Sequence, residues 1–354
     1  MSKTKNIYSD LKIAWFHDKL VSMRDCTILP PVYVRVKPIN RCNHHCWWCC
    51  YHEPEKAGMH EDMDAKDMLP TSKWYEILDD FDRIGVRAVT YSGGGEPLMH
   101  KDCVALMHRT LELGIDLSII TNGQLLCGDR AEALKHAKWV RVSIDYHDPE
   151  QFEQNRRTDK RGFDQIMDNI RTFAAIKDPN CDFGINFIVH RGNCDGLSVF
   201  AAKMKMLGVE NVRFSPMWIK NFKEYHLPIK DQVESELKVA SLLVGNTFHV
   251  NTTYNLDFCG FVPYRHYTRC HFGQVVPVIG ADQNVYACHN KAYDHTGLIG
   301  SIRDKTFEQV WMGGEAEAFF ANLNPQMSCR HQCANDAKNQ IIQNMIDSSG
   351  DNFV

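Results

Sequence analysis

Cys42, Cys46 and Cys49 are spaced CxxxCxxC, with His44 and His45 inside the first gap and Trp47 and Trp48 inside the second. Three thiols on one short loop suit two chemistries. Three thiolates can each hold one iron of a cubane, leaving the fourth iron open to a small molecule. Alternatively, they can close a zinc site with His44 or His45. A second set, Cys270, Cys288, Cys329 and Cys333, lies far downstream, and four thiols again suit zinc or an iron–sulfur cluster. Cys50 breaks the first spacing and reads as packing.

The compartment bears on that choice. Residues 1–10 are polar, unlike a signal peptide, and no apolar run approaches the ~20 residues that a membrane span needs. The expectation is a cytoplasmic protein with no membrane partner. Cytoplasmic thiols are kept reduced, so 14 Cys point to metal or catalysis before disulfides. The net charge of −4 and scattered Lys and Arg give no basic stripe for nucleic acid. A 44% hydrophobic, 24% charged composition is that of a globular chain with enough length to bury a core.

The elements that must position these thiols alternate. Segments 32–38, 86–91, 116–121, 139–144, 183–190 and 211–216 read as strands, rich in β-branched and apolar residues. Between them, 74–84 (after a Thr71-Ser72 cap), 103–113, 130–136, 163–176 and 197–207 read as helices, with a longer polar connection after Asp145. This rhythm builds right-handed βαβ units and a parallel sheet. Six strands precede Met217, too few for the usual eight-stranded barrel, so the expectation is an α/β fold with an open, partial (β/α)6 barrel. Past Trp218 the rhythm stops. Segment 233–244 looks helical, 248–256 extended and 336–345 helical, with short strands between them. The expected division is an N-terminal extension (1–30), the barrel (31–218), a connection (219–258) and a small α+β domain (259–354).

Polar residues fall at strand C-terminal ends, where α/β folds build their sites. Gly94-Gly95-Glu96-Pro97 follows the second strand, Asn122 the third, and Ser143 and Asp145 end the fourth, while Asn186 and His190 lie on the fifth. Glycines let a ligand approach the backbone, and a carboxylate complements an ammonium group. Neither a dinucleotide fingerprint nor a P-loop is present around Gly94. Taken singly, Asn122-Gly123 is a turn signal and a strand Asn is satisfied by backbone.

The three-Cys loop after the first strand, with GGEP after the second, resembles the radical S-adenosylmethionine (radical SAM) superfamily over the first two-thirds of the chain. By that resemblance Cys42, Cys46 and Cys49 bind a [4Fe–4S] cluster whose unique iron chelates S-adenosyl-L-methionine. Trp48 lies near the adenine, and Gly94, Gly95, Glu96, Asn122, Ser143, Asp145 and Asn186 line the cofactor. An external one-electron donor such as flavodoxin or ferredoxin reduces the cluster. S-Adenosylmethionine is then cleaved to methionine and a 5′-deoxyadenosyl radical, which abstracts hydrogen from the substrate.

The downstream set is similar to the Twitch domain, a shortened relative of the SPASM extension. Two of its Cys flank a hairpin over 276–288 that turns at Asp282 to Asn284, and two lie near the end. That likeness implies an auxiliary [4Fe–4S] cluster on Cys270, Cys288, Cys329 and Cys333. This chain departs from it with Gln283 where Gly is usual and with CxxxC as the last pair, which leaves His331 as a substitute ligand. The implied activity is a dehydrogenase-like oxidoreductase acting on a small polar molecule, such as a sugar, aminocyclitol or nucleotide-linked sugar. Two rival readings stay open: an epimerase using Cys259 as hydrogen-atom donor, with Tyr254, Asp257, Tyr264, Arg265 and His266 around it, and a peptide-modifying maturase. Of another class is a non-catalytic, zinc-stabilised barrel that binds a partner.

Overall fold

The computed structural model describes residues 9–252, 254, 265–329, 333 and 335–348. Seven strands run parallel, in chain order: β1 (Tyr33–Val36), β2 (Ala88–Tyr91), β3 (Asp116–Thr121), β4 (Trp139–Ile144), β5 (Asp182–Val189), β6 (Asn211–Pro216) and β7 (His249–Thr252). On the other side of β1, β8 (Val278–Ile279) adds in parallel, and β9 (Asn284–Tyr286) and β10 (Leu298–Ser301) extend the sheet antiparallel. The order is β10-β9-β8-β1-β2-β3-β4-β5-β6-β7. Its ends do not pair with each other, so the fold is α/β with a mostly parallel sheet that stays open, as a partial barrel.

Two features differ from the sequence expectation. β7 is a seventh parallel strand, inside the stretch read as a connection. The cysteine-flanked hairpin is also continuous with the barrel, because Val278 and Ile279 pair with Arg35 and Val36. Further along, Phe307 packs edge-on against Phe81 at 5.2 Å, and the Trp311 indole N–H donates to the Leu29 carbonyl at 3.0 Å.

Alternation along the strands separates two faces. Val34, Val36, Val89, Leu117, Val140, Val142, Phe183, Ile185, Val212 and Phe214 are buried under the helices. The Thr71–Ile84 helix shows how the cover forms: Trp74, Ile77, Leu78 and Phe81 recur at helical spacing and are buried, and Gly85 ends it with φ 82°, a left-handed conformation that suits glycine. The other strand face lines the interior. A cavity of about 680 Å³ enters there from the N-terminal strand ends, bounded by the 3-10 helix Asp10–Trp15, Phe272 and Lys338. Among the described residues no helix is long and apolar enough to cross a membrane.

Candidate metal and cofactor site

The first cysteine loop leaves β1 at the C-terminal edge of the sheet and is fixed from both sides by backbone hydrogen bonds. On one side Gly95 N donates to Ile39 O at 2.9 Å and Glu96 N to Arg41 O at 3.0 Å. On the other, His45 N donates to Arg156 O at 2.8 Å and Trp47 N to Asn155 O at 3.3 Å. These pairings explain the glycines: a Cβ on Gly95 would lie 2.0 Å from Arg41 O, and one on Gly94 2.1 Å from Asn40 Oδ1. The glycine run therefore seats the cysteine loop against β2, a tighter constraint than the ligand approach expected from sequence.

All three thiols are free. Cys42 Sγ accepts from His44 N at 3.4 Å, and Cys46 Sγ from Arg156 Nη1 at 3.4 Å. Burial pushes Cys42 up to about 12 and raises Cys46 and Cys49 as well. Alone, such thiols stay protonated, whereas coordination to a metal deprotonates them. His44, the zinc reading's fourth ligand, has its Nε2 2.7 Å from Gln124 Oε1, and burial lowers its pKa to about 3. A single zinc draws its ligands to one point, while a cubane asks each thiolate to reach a different iron. The donor set fits the cluster.

Glu96, Asn122, Asp145 and the Ser143 carbonyl converge on this loop and on the residues that hold it. Glu96 is buried, and its carboxylate accepts from Thr121 Oγ1 at 2.7 Å, Asn122 N at 2.7 Å and Leu98 N at 3.1 Å. Burial raises its pKa, and those donors oppose the rise. Asn122 Nδ2 donates to Asn43 Oδ1 at 2.7 Å and lies 3.9 Å from Cys42 Sγ. Asp145 is fully buried, with Oδ1 on Arg156 Nε at 2.6 Å and Oδ2 accepting from Trp48 Nε1 at 2.5 Å. Ser143 gives its carbonyl to Arg156 Nη2 at 2.8 Å. Asn186 Oδ1 accepts from Ser215 Oγ at 2.9 Å, and His190 Nε2 lies 3.2 Å from Asn155 Nδ2.

Arg156 is the residue that the sequence reading missed. It joins Trp48, Asp145, Ser143 and Cys46 in one buried network, from a helix, Pro149–Arg156, inside what read as a polar connection. A signal for that helix was present: Asp148 Oδ1 caps it by accepting from Gln151 N at 2.8 Å, and Pro149 occupies the first turn.

The second set lies close enough together to interact electrostatically. Burial and mutual repulsion with Cys288, Cys333 and Cys329 raise Cys270 well up, and burial pushes Cys333 up to about 11. The Asp336–Asp347 helix supports the set: Asp336 Oδ1 accepts from Arg265 Nη1 and Tyr267 OH, both at 2.7 Å, and Arg265 Nη2 donates to Cys329 O at 3.4 Å. Gln283 takes φ 64° at the hairpin turn, the region glycine enters without strain. The two sets are linked by Tyr51, whose hydroxyl accepts from buried Lys37 Nζ at 2.6 Å and lies 3.2 Å from Nδ1 of His289, the residue after Cys288. Cys259, Asp257, Tyr264 and His331 lie outside the described residues. Of the other residues placed around Cys259, Tyr254 OH lies 3.2 Å from His226 Nδ1.

Known proteins were compared with this arrangement. Residues 36–195 match the radical SAM superfamily. The PqqA peptide cyclase of Granulibacter bethesdensis is 26% identical over 214 residues, 59% of this chain and 54% of that protein. The GTP 3′,8-cyclase of Limosilactobacillus fermentum is 33% identical over 187 residues, 51% of this chain and 53% of that protein. The chain thus spans about half the length of these two relatives. In fold it is similar to Streptococcus suis SuiB bound to S-adenosylmethionine, with a TM-score of 0.63 at 17% identity over 86% of this chain and 72% of that one. It is also similar to anSMEcpe with bound AdoMet, with a TM-score of 0.58 at 17% identity over 82% and 83%.

Proposed function

The chain carries a radical SAM domain over residues 36–195, and from that premise we propose that it oxidises a small polar substrate held inside the barrel. The observation that carries this reading is the three-thiol loop, fixed by backbone hydrogen bonds at the C-terminal strand ends; a cavity of about 680 Å³ lies at the opposite, N-terminal strand ends. That volume lies within the ~300–1,000 Å³ of small-molecule sites.

In this reading Cys42, Cys46 and Cys49 hold the [4Fe–4S] cluster. When bound, the cluster and S-adenosylmethionine supply the 5′-deoxyadenosyl radical that abstracts hydrogen from the substrate. This chain's own residues do the rest. The backbone of residues 39–41 and 45–47 fixes the loop. Arg156 places a positive charge and an N–H beside the Cys46 sulfur. Asp145 anchors that guanidinium and orients the Trp48 indole. Glu96, with three donors, holds the turn at Asn122. Cys270, Cys288, Cys329 and Cys333 would hold an auxiliary cluster that takes the second electron of a dehydrogenation, and an external one-electron donor completes the cycle.

A peptide substrate is the second reading, favoured by the relatives that are peptide cyclases and by SuiB solved with its precursor peptide. A GTP cyclase and a nucleotide dehydratase among the relatives keep the small substrate in front. Iron and sulfide counting on anaerobically reconstituted protein tests the scheme. Wild type should hold two clusters and a Cys42/Cys46/Cys49 triple Ala variant one. Equal iron in both would refute the assignment of the first loop, and zinc in place of iron would establish the binding-protein alternative.

A further inference from the structure

The charges around the two cysteine sets differ. At the first set the guanidinium of Arg156 is answered by Asp145 at 2.6 Å, and buried Glu96 faces Cys42 as well. Lys37, the buried lysine nearer that set, donates to Tyr51 OH and Gly93 O, both at 2.6 Å. Burial lowers it to about 7, which makes it a weak counter-charge above neutral pH. At the second set Arg265 is answered in the same way as Arg156, by Asp336 at 2.7 Å.

Lys291 is different. It ends the 3-10 turn His289–Lys291 that follows Cys288, with its backbone N–H on Cys288 O at 3.2 Å. Lysine is almost never fully buried unless paired, yet this one is 2% exposed. Its Nζ donates to Thr296 Oγ1, a neutral hydroxyl, at 2.6 Å. Gly297 clamps the same residue: a Cβ there would lie 2.3 Å from Lys291 O and 2.4 Å from Lys291 Cβ. Asp294 feels the ammonium but gives its carboxylate to Thr296 N at 2.8 Å. The thiols feel it too. Burial raises Cys329, and the Lys291 charge is the strongest influence against that rise. Burial and repulsion from Cys329 raise Cys288, opposed by the backbone N–H groups of Lys291 and Asn290 and then by the Lys291 ammonium.

A cation walled off from water needs a counter-charge, and an all-thiolate iron–sulfur cluster is anionic. Reduction adds an electron to that anion, so a fixed ammonium beside it favours the reduced form. Net charge and hydrogen bonds to sulfur are among the levers that set such potentials. We propose that Lys291 raises the reduction potential of a cluster held by Cys270, Cys288, Cys329 and Cys333, which makes that set, and not the first, the place where the substrate's electron goes. This rests on the reading above that the second set holds an auxiliary cluster. In the dehydrogenation, an alcohol carbon that has given a hydrogen atom to the 5′-deoxyadenosyl radical passes one electron to this set and its hydroxyl proton to water, which leaves a carbonyl group. The carboxylates of Glu96 and Asp145 bear on Cys42 and Cys46 with the opposite sign and keep the first set the stronger reductant.

The test is a potentiometric titration of the reconstituted protein at pH 8, followed by electron paramagnetic resonance, with C270A/C329A identifying the signal of the first cluster. K291M keeps the backbone N–H and removes the charge. At a fixed potential it should lower the ratio of reduced to oxidised second cluster at least tenfold, a midpoint shift of about 59 mV for one electron, and leave the first midpoint in place. K291R should stay near wild type. If K291M does not take up its second cluster by iron counting, K291Q carries the same expectation. An unmoved second midpoint, an equal fall at both clusters, a fall in K291R as large as in K291M, or loss of the second cluster in all three variants overturns the proposal. The wild-type protein separates the two failures. Two clusters with midpoints indifferent to residue 291 sink the role of Lys291 alone, whereas wild-type protein that holds a single cluster sinks the reading on which it rests.

Discussion

Arg156 concentrates the site's residue-scale logic. Its guanidinium is 3% exposed, pairs with fully buried Asp145, and donates to the Cys46 sulfur. Breaking a buried pair by removing one partner leaves an uncompensated charge and costs about 3–5 kcal/mol. R156M should therefore lower the stability of the cluster-free protein by that amount in urea denaturation, and a loss below about 1 kcal/mol would contradict the network. Lys19 gives a pH prediction. Burial lowers it to about 7, with the Leu29 and Pro30 carbonyls as acceptors, at 2.6 and 3.2 Å. Between pH 7 and its ordinary value the unfolded chain binds a proton that the folded one does not, so this group's contribution makes stability rise as pH climbs through that window. K19M should flatten the rise between pH 7 and pH 9, measured by denaturation at both. An unchanged slope would show that Lys19 is not the source.

Among the elements, the strand ends decide what the thiols meet. G95A puts a methyl into Arg41 O and must displace the cysteine loop. Overpacking of this kind costs about 1–3 kcal/mol. The expected outcome is a folded protein, by circular dichroism, with reduced iron content; full iron loading would show that the loop does not need the close approach. Most of this level was legible in the sequence. β3, β4 and β6 fall where period-two patterning places them, because their outward faces are apolar and mostly β-branched or aromatic. The cysteine loop, Glu96 and Asn122 were legible because they stand at those ends. The Pro149–Arg156 helix was not, since most of its residues are polar and exposed or half-exposed, with Phe152 its one buried large apolar side chain. An Arg on such a helix reads as solvated, and only the fold brings it 110 residues back to Cys46. The 248–256 stretch was read as extended, but the pairing of β7 with β6 and of β8 with β1 escaped for a related reason: strand pairing across long separations leaves no local pattern.

At the scale of the molecule, two cysteine sets share one sheet. The first is seated by backbone bonds to residues 95–96 and 155–156, none of which comes from the second set or its hairpin. A C270A/C329A variant should lose iron yet still release 5′-deoxyadenosine under a strong reductant, while oxidised product disappears. Loss of cleavage as well would mean that the second set is needed to build the first. The central claim is that the three-thiol loop holds a cluster able to pass an electron into S-adenosylmethionine. Chromatography of an anaerobic reaction with dithionite tests it most directly: wild type should yield methionine and 5′-deoxyadenosine in equal amounts and C46A neither. Fully loaded wild-type protein that leaves the cofactor whole would contradict it.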